Sequence, residues 1–403
     1  MHFQFQQLPI MLVFKSVFTM KKIFYFISAF IFLAIVNSCV EEFDAATEEF
    51  EDVIVIEATI TDELKYHKII LSRTYKFEDF GASPESGAVI KITTSNNDTF
   101  NFSETAFGIY TSNNMFKVTP NIEYKLSIKT KDGKEYASHN TVLPNISTID
   151  KVYAEKKINE DGVEGVALYV DSFDASNKSK YYGFEFEETY KIIAPFWTSE
   201  DLVLTSSGGL RVVPRSQEEQ TCYKTIESKG RLLTNTNLLE EDRITKFLLK
   251  FIPSEDISLN TRYSILVKQY VQSSESYNYL RILEEFSSSQ SLFSQSQPGF
   301  LTSNIFSVSN SNEKVLGFFE VSSVSEKRIF FDRLDVLGEP YPWICEVFDP
   351  PYGQLVGLVK NDLVTLIFEK PQGEEGGPYD VVRRICGDCT KSGSNIRPNF
   401  WID

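Results

Sequence analysis

The chain has 403 residues, with 56 acidic against 40 basic side chains and a formal charge of −16. That balance excludes a basic footprint for nucleic acid and offers nothing to a bare anionic membrane surface. Phe and Tyr number 33 and 19 while Met and Trp number only 4 and 3, a composition that favours strands over helices.

The first recognisable element is an export signal. Met20, Lys21 and Lys22 form a short basic region, and residues 23–36 are apolar and uncharged. Val36-Asn37-Ser38-Cys39 then reads as a lipobox, with the small Ser38 suiting a signal peptidase. The apolar run falls short of the roughly 20 residues that span a bilayer. Glu41, Glu42 and Asp44 follow it at once, which also disfavours a buried core helix. Residues 1–38 are therefore expected to be a signal peptide and Cys39 the lipidated first residue of the mature protein. Residues 1–19 precede a complete signal that begins at Met20, and are expected to be an over-extended start. The mature charge becomes −19, because the removed segment carries Lys15, Lys21 and Lys22 and no acid.

Residues 39–52 are expected to form an acidic tether. Residues 53–144 predict a small β-sandwich of immunoglobulin-like or transthyretin-like type. Seven strand-like runs follow one another, at 53–61, 68–73, 88–94, 99–103, 109–112, 123–131 and 134–142. Alternation is clearest where Tyr124, Leu126 and Ile128 share one face. Asp132-Gly133 predicts a type I′ hairpin turn.

Residues 145–403 predict a larger β-rich domain. Strands are expected at 149–155, 165–171, 181–190, 246–252, 262–271, 315–322, 328–331 and 363–368. One helix is expected from Ser274 as its cap through Glu285, with Tyr277, Leu280, Leu283 and Phe286 on one face. Residues 198–220 and 371–378 read as long loops, the kind of segment that often carries binding.

Catalytic signatures are missing. The sequence holds no nucleophile elbow, Walker loop, dinucleotide fingerprint or HExxH motif. Glu187 and Glu188 are adjacent on a strand and point to opposite faces, so they are no acid–base pair. Asn159-Glu160-Asp161-Gly162 reads as a surface turn rather than a calcium loop. His67 and His139 have no second His or Cys at ligand spacing, so no metal, cofactor or enzymatic activity is expected.

Lipidation of Cys39 leaves Cys222, Cys345, Cys386 and Cys389, an even number that suggests disulfides in an exported protein. Cys386 and Cys389 form a CxxC, which also permits a redox dithiol or half a zinc site. A direct Cys386–Cys389 bond closes a tiny ring and stabilises little, whereas a bond across a long loop is worth about 4 to 5 kcal/mol. Cys222 and Cys345 are therefore each expected to pair with one of Cys386 and Cys389, clamping the C-terminal tail.

The second region also carries a resemblance. In order it holds Cys222-Tyr223-Lys224-Thr225, Tyr263-Ser264-Ile265, Gln269-Tyr270, Ser276-Tyr277-Asn278-Tyr279, Ser291-Leu292-Phe293, Gln297-Pro298, Asn304-Ile305 and Val315-Leu316-Gly317-Phe318-Phe319. Lys327-Arg328-Ile329-Phe330, Cys386-Gly387-Asp388-Cys389-Thr390, Gly393 and Pro398-Asn399-Phe400-Trp401 follow. The chain resembles the Bacteroidota lipoproteins of domain-of-unknown-function family 4249, with Tyr223 where Trp is usual and Ser276 where Ala is usual. The resemblance runs over essentially the whole mature chain, and its closing segments are its most specific parts. It implies no catalytic residue. Members are often encoded beside TonB-dependent transporters, and Tyr270, Phe293 and Trp401 are expected to be core or loop anchors. Glu41 and Glu42 resemble the acidic signal that sends such lipoproteins to the cell surface. The resulting expectation is a surface-exposed outer-membrane lipoprotein held by its lipid, a non-catalytic accessory or binding subunit partnering a TonB-dependent β-barrel transporter. The alternative is a surface adhesin or glycan-binding structural lipoprotein. The identity of any small-molecule or glycan ligand is not legible.

Overall fold

The computed structural model describes residues 52–75, 81–288 and 302–403. Nine strands come first: β1 (Ile54–Thr61), β2 (Lys68–Arg73), β3 (Ser83–Pro84), β4 (Val89–Thr94), β5 (Thr99–Ala106), β6 (Ile109–Ser112), β7 (Glu123–Lys129), β8 (Glu135–Ser138) and β9 (Thr141–Val142). Alternation sets their faces. In β7, Tyr124, Leu126 and Ile128 are buried while Glu123, Lys125 and Lys129 are exposed. The β7–β8 turn is not type I′. Only Gly133 has positive φ, Thr130 O accepts from Gly133 N–H, and Thr130 N–H donates to Lys134 O. This is a three-residue loop with glycine in the left-handed position.

Next come β10 (Thr148–Ile158), β11 (Glu164–Phe173), β12 (Tyr181–Ile193), β13 (Glu200–Leu204), β14 (Leu210–Pro214), β15 (Thr221–Glu227), β16 (Leu232–Asn235), β17 (Arg243–Pro253) and β18 (Arg262–Gln272). Helix α1 (Ser274–Ser288), β19 (Ile305–Ser307) and β20 (Val315–Asp332) follow. The chain ends through α2 (Arg333–Leu337), α3 (Tyr352–Lys360), β21 (Val364–Glu369), β22 (Tyr379–Arg383) and α4 (Arg384–Gly387). The protein is thus mainly β, as its composition implied.

β20 organises the whole. Its first part pairs in parallel with β1, from Ile54↔Val315 to Thr61↔Ser322. Its second part pairs antiparallel with β18, from Val271↔Ser323 to Arg262↔Asp332. One hydrogen-bonded path therefore runs β15-β12-β18-β20-β1-β2-β6-β5-β4-β7-β8-β19. The segments expected as two strands, 315–322 and 328–331, are one strand crossing between two cores.

The first core is packed by Ile56, Ile60, Leu71, Leu126 and their neighbours, and it includes Ile305, Val315, Phe319 and Val321 from far along the chain. Residues 53–144 therefore do not complete this layer alone, and the expected boundary near 144 is amended accordingly. The sheet curls back on itself. Asn304 Nδ2 donates to Phe319 O at 2.8 Å while Asn304 Oδ1 accepts from Phe319 N–H at 2.8 Å. A side-chain amide thus stands in for a ladder pair between the β19 end and β20.

The second core lies between β10-β11-β17 and the β12, β18 and β20 sheet, with Leu168, Phe184, Ile265 and Val267 among its fully buried residues. A smaller third cluster joins Leu202, Leu355, Val364, Leu366 and Val381. It corrects the reading of 198–220 as a loop. β13 and β14 form a hairpin there, with Leu202 buried against the cluster.

Candidate functional site

The four described cysteines form two bonds, Cys222–Cys389 and Cys345–Cys386, with Cα separations of 5.5 and 6.0 Å. The two cysteines of the CxxC thus bond to different distant partners, as loop entropy predicted. Beyond the bonds, Tyr223 and Ser394 exchange backbone hydrogen bonds at 2.8 Å in both directions. Trp401 is buried and packs edge-on against Tyr223 and Phe330, with ring centroids 5.0 and 5.6 Å away. Arg328 stacks on Phe400 at 3.7 Å. The tail is held by covalent and aromatic contacts together.

A cleft of about 430 Å³ opens between α1 and the β1–β20 pair. Strand alternation creates its floor. Ile54, Ile56, Ala58 and Ile60 face the first core, which turns Val55, Glu57 and Thr59 to the other side. Leu316, Phe318 and Glu320 of β20 complete the floor. Tyr279, Leu280 and Leu283 of α1 form the wall.

α1 is fixed by three observations. Ser273, not Ser274, caps it, through Ser276 N–H donating to Ser273 Oγ at 3.1 Å. Tyr279 Oη accepts from Gly317 N–H at 2.8 Å. Asn235 Nδ2 donates to Tyr277 Oη at 3.0 Å. Gly317 is forced: its φ is +116°, and a Cβ there would lie 1.9 Å from Ile56 O. The same close approach lets β1 and β20 run side by side.

One end of the cleft is closed by a buried charge cluster. Arg231 donates from Nη1 to both Glu320 oxygens at 2.8 and 2.9 Å and from Nε to Glu185 at 3.0 Å. Its guanidinium lies 3.7 Å from the centre of the Tyr270 ring. Glu320 also accepts from Gln272 at 2.7 Å and Thr59 at 3.2 Å, and Tyr270 Oη donates to Glu185 at 2.8 Å. Burial alone would raise the Glu320 carboxyl, but the Arg231 guanidinium and these donors hold it below the usual carboxylate range. Burial first, then the Glu185 carboxylate, pushes the Tyr270 phenol well up. Gly183 leaves the space for Arg231, since a Cβ there would lie 2.1 Å from Arg231 Cδ. A second depression of about 290 Å³ adjoins through Glu185 and Gly230, and Lys268 and Tyr270 line it.

Of the residues singled out in the sequence, Cys39, Glu41, Glu42 and Phe293 lie outside the described residues. Tyr270 and Trp401 are buried anchors. Glu187 and Glu188 do face opposite ways: Glu187 meets Arg328, and Glu188 is buried against Lys250 and Tyr263. Asn159 Oδ1 accepts from the N–H groups of Asp161 and Val163, which makes that segment a self-bonded turn. The cleft residues Glu57, Glu185, Arg231 and Glu320 were not legible. Of the lining, the Tyr279 and Gly317 segments and the helix residues Leu280 and Leu283 had drawn notice.

The fold and its cleft define a β-rich, disulfide-clamped protein whose two cores share one long strand. The model of the family described as Domain of unknown function (DUF4249) matches residues 40–328, and the chain belongs to that family. The match takes in the first core, the cleft and β20 through Arg328, and ends before the clamped tail. None of the curated proteins matches the chain.

Proposed function

We propose that the protein is a surface-exposed outer-membrane lipoprotein that acts as a non-catalytic accessory or binding subunit and partners a TonB-dependent transporter. The observation that carries the reading is the sequence Val36-Asn37-Ser38-Cys39 with Glu41 and Glu42 directly after it. Two disulfides across the body suit an oxidising compartment. The cleft supports a holding role. Its buried acid Glu320 and its partner Glu185 are bonded to Arg231 and Tyr270 rather than left poised for proton transfer.

The test is threefold. Mass analysis of the mature N-terminus should find acyl chains on Cys39, and Cys39→Ala should release the protein from the membrane fraction. Protease added to intact cells should cleave the wild type and spare the Glu41→Ala, Glu42→Ala variant. Mild-detergent purification should retain a β-barrel transporter. Recovery of Cys39→Ala in membranes would sink the anchor, and purification without any barrel under crosslinking would sink the partnership.

A further inference from the structure

We propose that the cleft beneath α1 binds an organic ammonium carried on an apolar body, with Glu57 as its counter-ion. Glu57 stands in the middle of the floor, in register with Phe318 and flanked on its own strand by Val55 and Thr59. It is exposed, and no side-chain hydrogen bond or ion pair ties it to another of the described residues. Its surroundings are apolar: Leu316 and Phe318 beside it, Leu280 and Leu283 across the cleft. A carboxylate in such a place loses water when the cleft fills, so a neutral or anionic occupant would leave it uncompensated.

Among the described residues, none of the cleft supplies the missing charge: Arg231 is their one cation in the lining, and Glu320 and Glu185 already engage it. With Glu57, Glu185 and Glu320 against Arg231, the lining carries two negative charges in excess. Two aromatic rings add to the selectivity. Tyr279 of the wall and Phe318 of the floor pair with centroids 5.4 Å apart, and ring faces attract ammonium groups. The volume falls within the span of ordinary small-molecule sites. The ammonium would sit at Glu57 and its hydrocarbon would run along Leu280, Leu283 and Leu316.

This inference rests on the binding part of the reading above and on neither the anchor nor the transporter. Its experiment therefore uses the purified full-length protein with leucine methyl groups labelled for NMR. Three probes of equal length are titrated: n-hexylammonium, n-hexanol and hexanoate. Saturable shifts at Leu280, Leu283 and Leu316 are expected with n-hexylammonium, roughly tenfold weaker binding with n-hexanol, and none with hexanoate. Glu57→Gln should bring n-hexylammonium down to the n-hexanol level, and Leu283→Trp should fill the cleft and abolish all shifts. Absence of saturable shifts, an equal response to hexanoate, or an unchanged affinity in Glu57→Gln overturns the proposal while leaving the membrane and co-purification outcomes as they stand.

Discussion

Replacing Arg231 by Met removes the charge that compensates Glu320. The Arg231 side chain is 11% exposed and that of Glu320 is 6% exposed, so solvent screens the pair little. The variant loses the two bonds to Glu320 and the stack on Tyr270. Breaking a buried pair from one side typically costs about 3–5 kcal/mol. Glu320 keeps its donors Gln272 and Thr59, which places the expected loss near the lower end, at about 3 kcal/mol. Glu320→Gln leaves Arg231 with Glu185 and should cost less, and the double variant should fall short of the sum by about 2 kcal/mol. The dependence on pH has a definite sign. In the wild type the Glu320 carboxyl is depressed, so its contribution is full above pH 4.5, the ordinary value, and is lost as pH falls through the folded value. Without Arg231 that carboxyl should rise above the ordinary value, so the deficit should be largest at neutral pH and shrink towards pH 5 as the folded state takes up a proton. Urea unfolding of the four proteins at both pH values measures this. A loss below about 1 kcal/mol for Arg231→Met, or strictly additive single losses, would refute the view that the cluster is one coupled unit.

The clamp gives a second expectation. Removing Cys222–Cys389, which spans 167 residues, should destabilise by nominally about 5 kcal/mol, and removing Cys345–Cys386, which spans 41, by about 4, as read from urea midpoints of the paired Cys→Ser variants. His67 is buried and its ring is pushed down from 6.5 to about 4, chiefly by burial. Its neutral form is the stable one, so stability should fall as pH drops from 6.5 towards 4, by about 3 kcal/mol, and His67→Asn should lack that component of the slope in a pH series of unfolding curves. Asn304→Ala should open the seam to β20 and cost about 1–3 kcal/mol in urea unfolding, because the N–H and C=O of Phe319 both lose their partner. Asn304→Asp should not restore it, since it keeps the acceptor and loses the donor.

Local pattern carried the sequence reading far in some places and no distance in others. Lys68–Arg73 and Ile109–Ser112 are strands at their expected limits, because alternating burial of one face is a local signal. β14 and β16 hold partly buried residues without a clean alternation, so their sequences look like loop. The helix face is wider than expected. Tyr277 is buried and bonded to Asn235 of β16, and Leu280 and Leu283 line the cleft, as the pattern implied. Ser276 and Tyr279 also turn inward, Tyr279 with its hydroxyl drawn to Gly317 N–H. Parallel pairing of β1 with β20 joins residues some 261 positions apart, and no property of either strand announces it. The charge cluster is illegible for the same reason. Arg231 meets Glu185 and Glu320 at separations of 46 and 89, and Gly183 matters only as space for a side chain that arrives from the turn between β15 and β16.

β20 explains why the cleft and the clamp belong to one device. The same face of that strand carries Leu316, Phe318 and Glu320 under the cleft and then Arg328 and Phe330 under the tail, where Phe400 and Trp401 cover them. Its other face serves both cores, with Phe319 in the first and Phe331 in the second. The floor of the cleft is therefore held from below by the first core, and the strand that carries it runs on into the second core and under the clamped tail. Such a floor yields little to an occupant, and what can adjust is α1, held to the sheet side by the hydroxyls of Tyr277 and Tyr279. Affinity in the cleft then comes from charge and apolar surface already in place, with little ordering cost to offset it. Selectivity falls to Glu57, which stands on the rigid side.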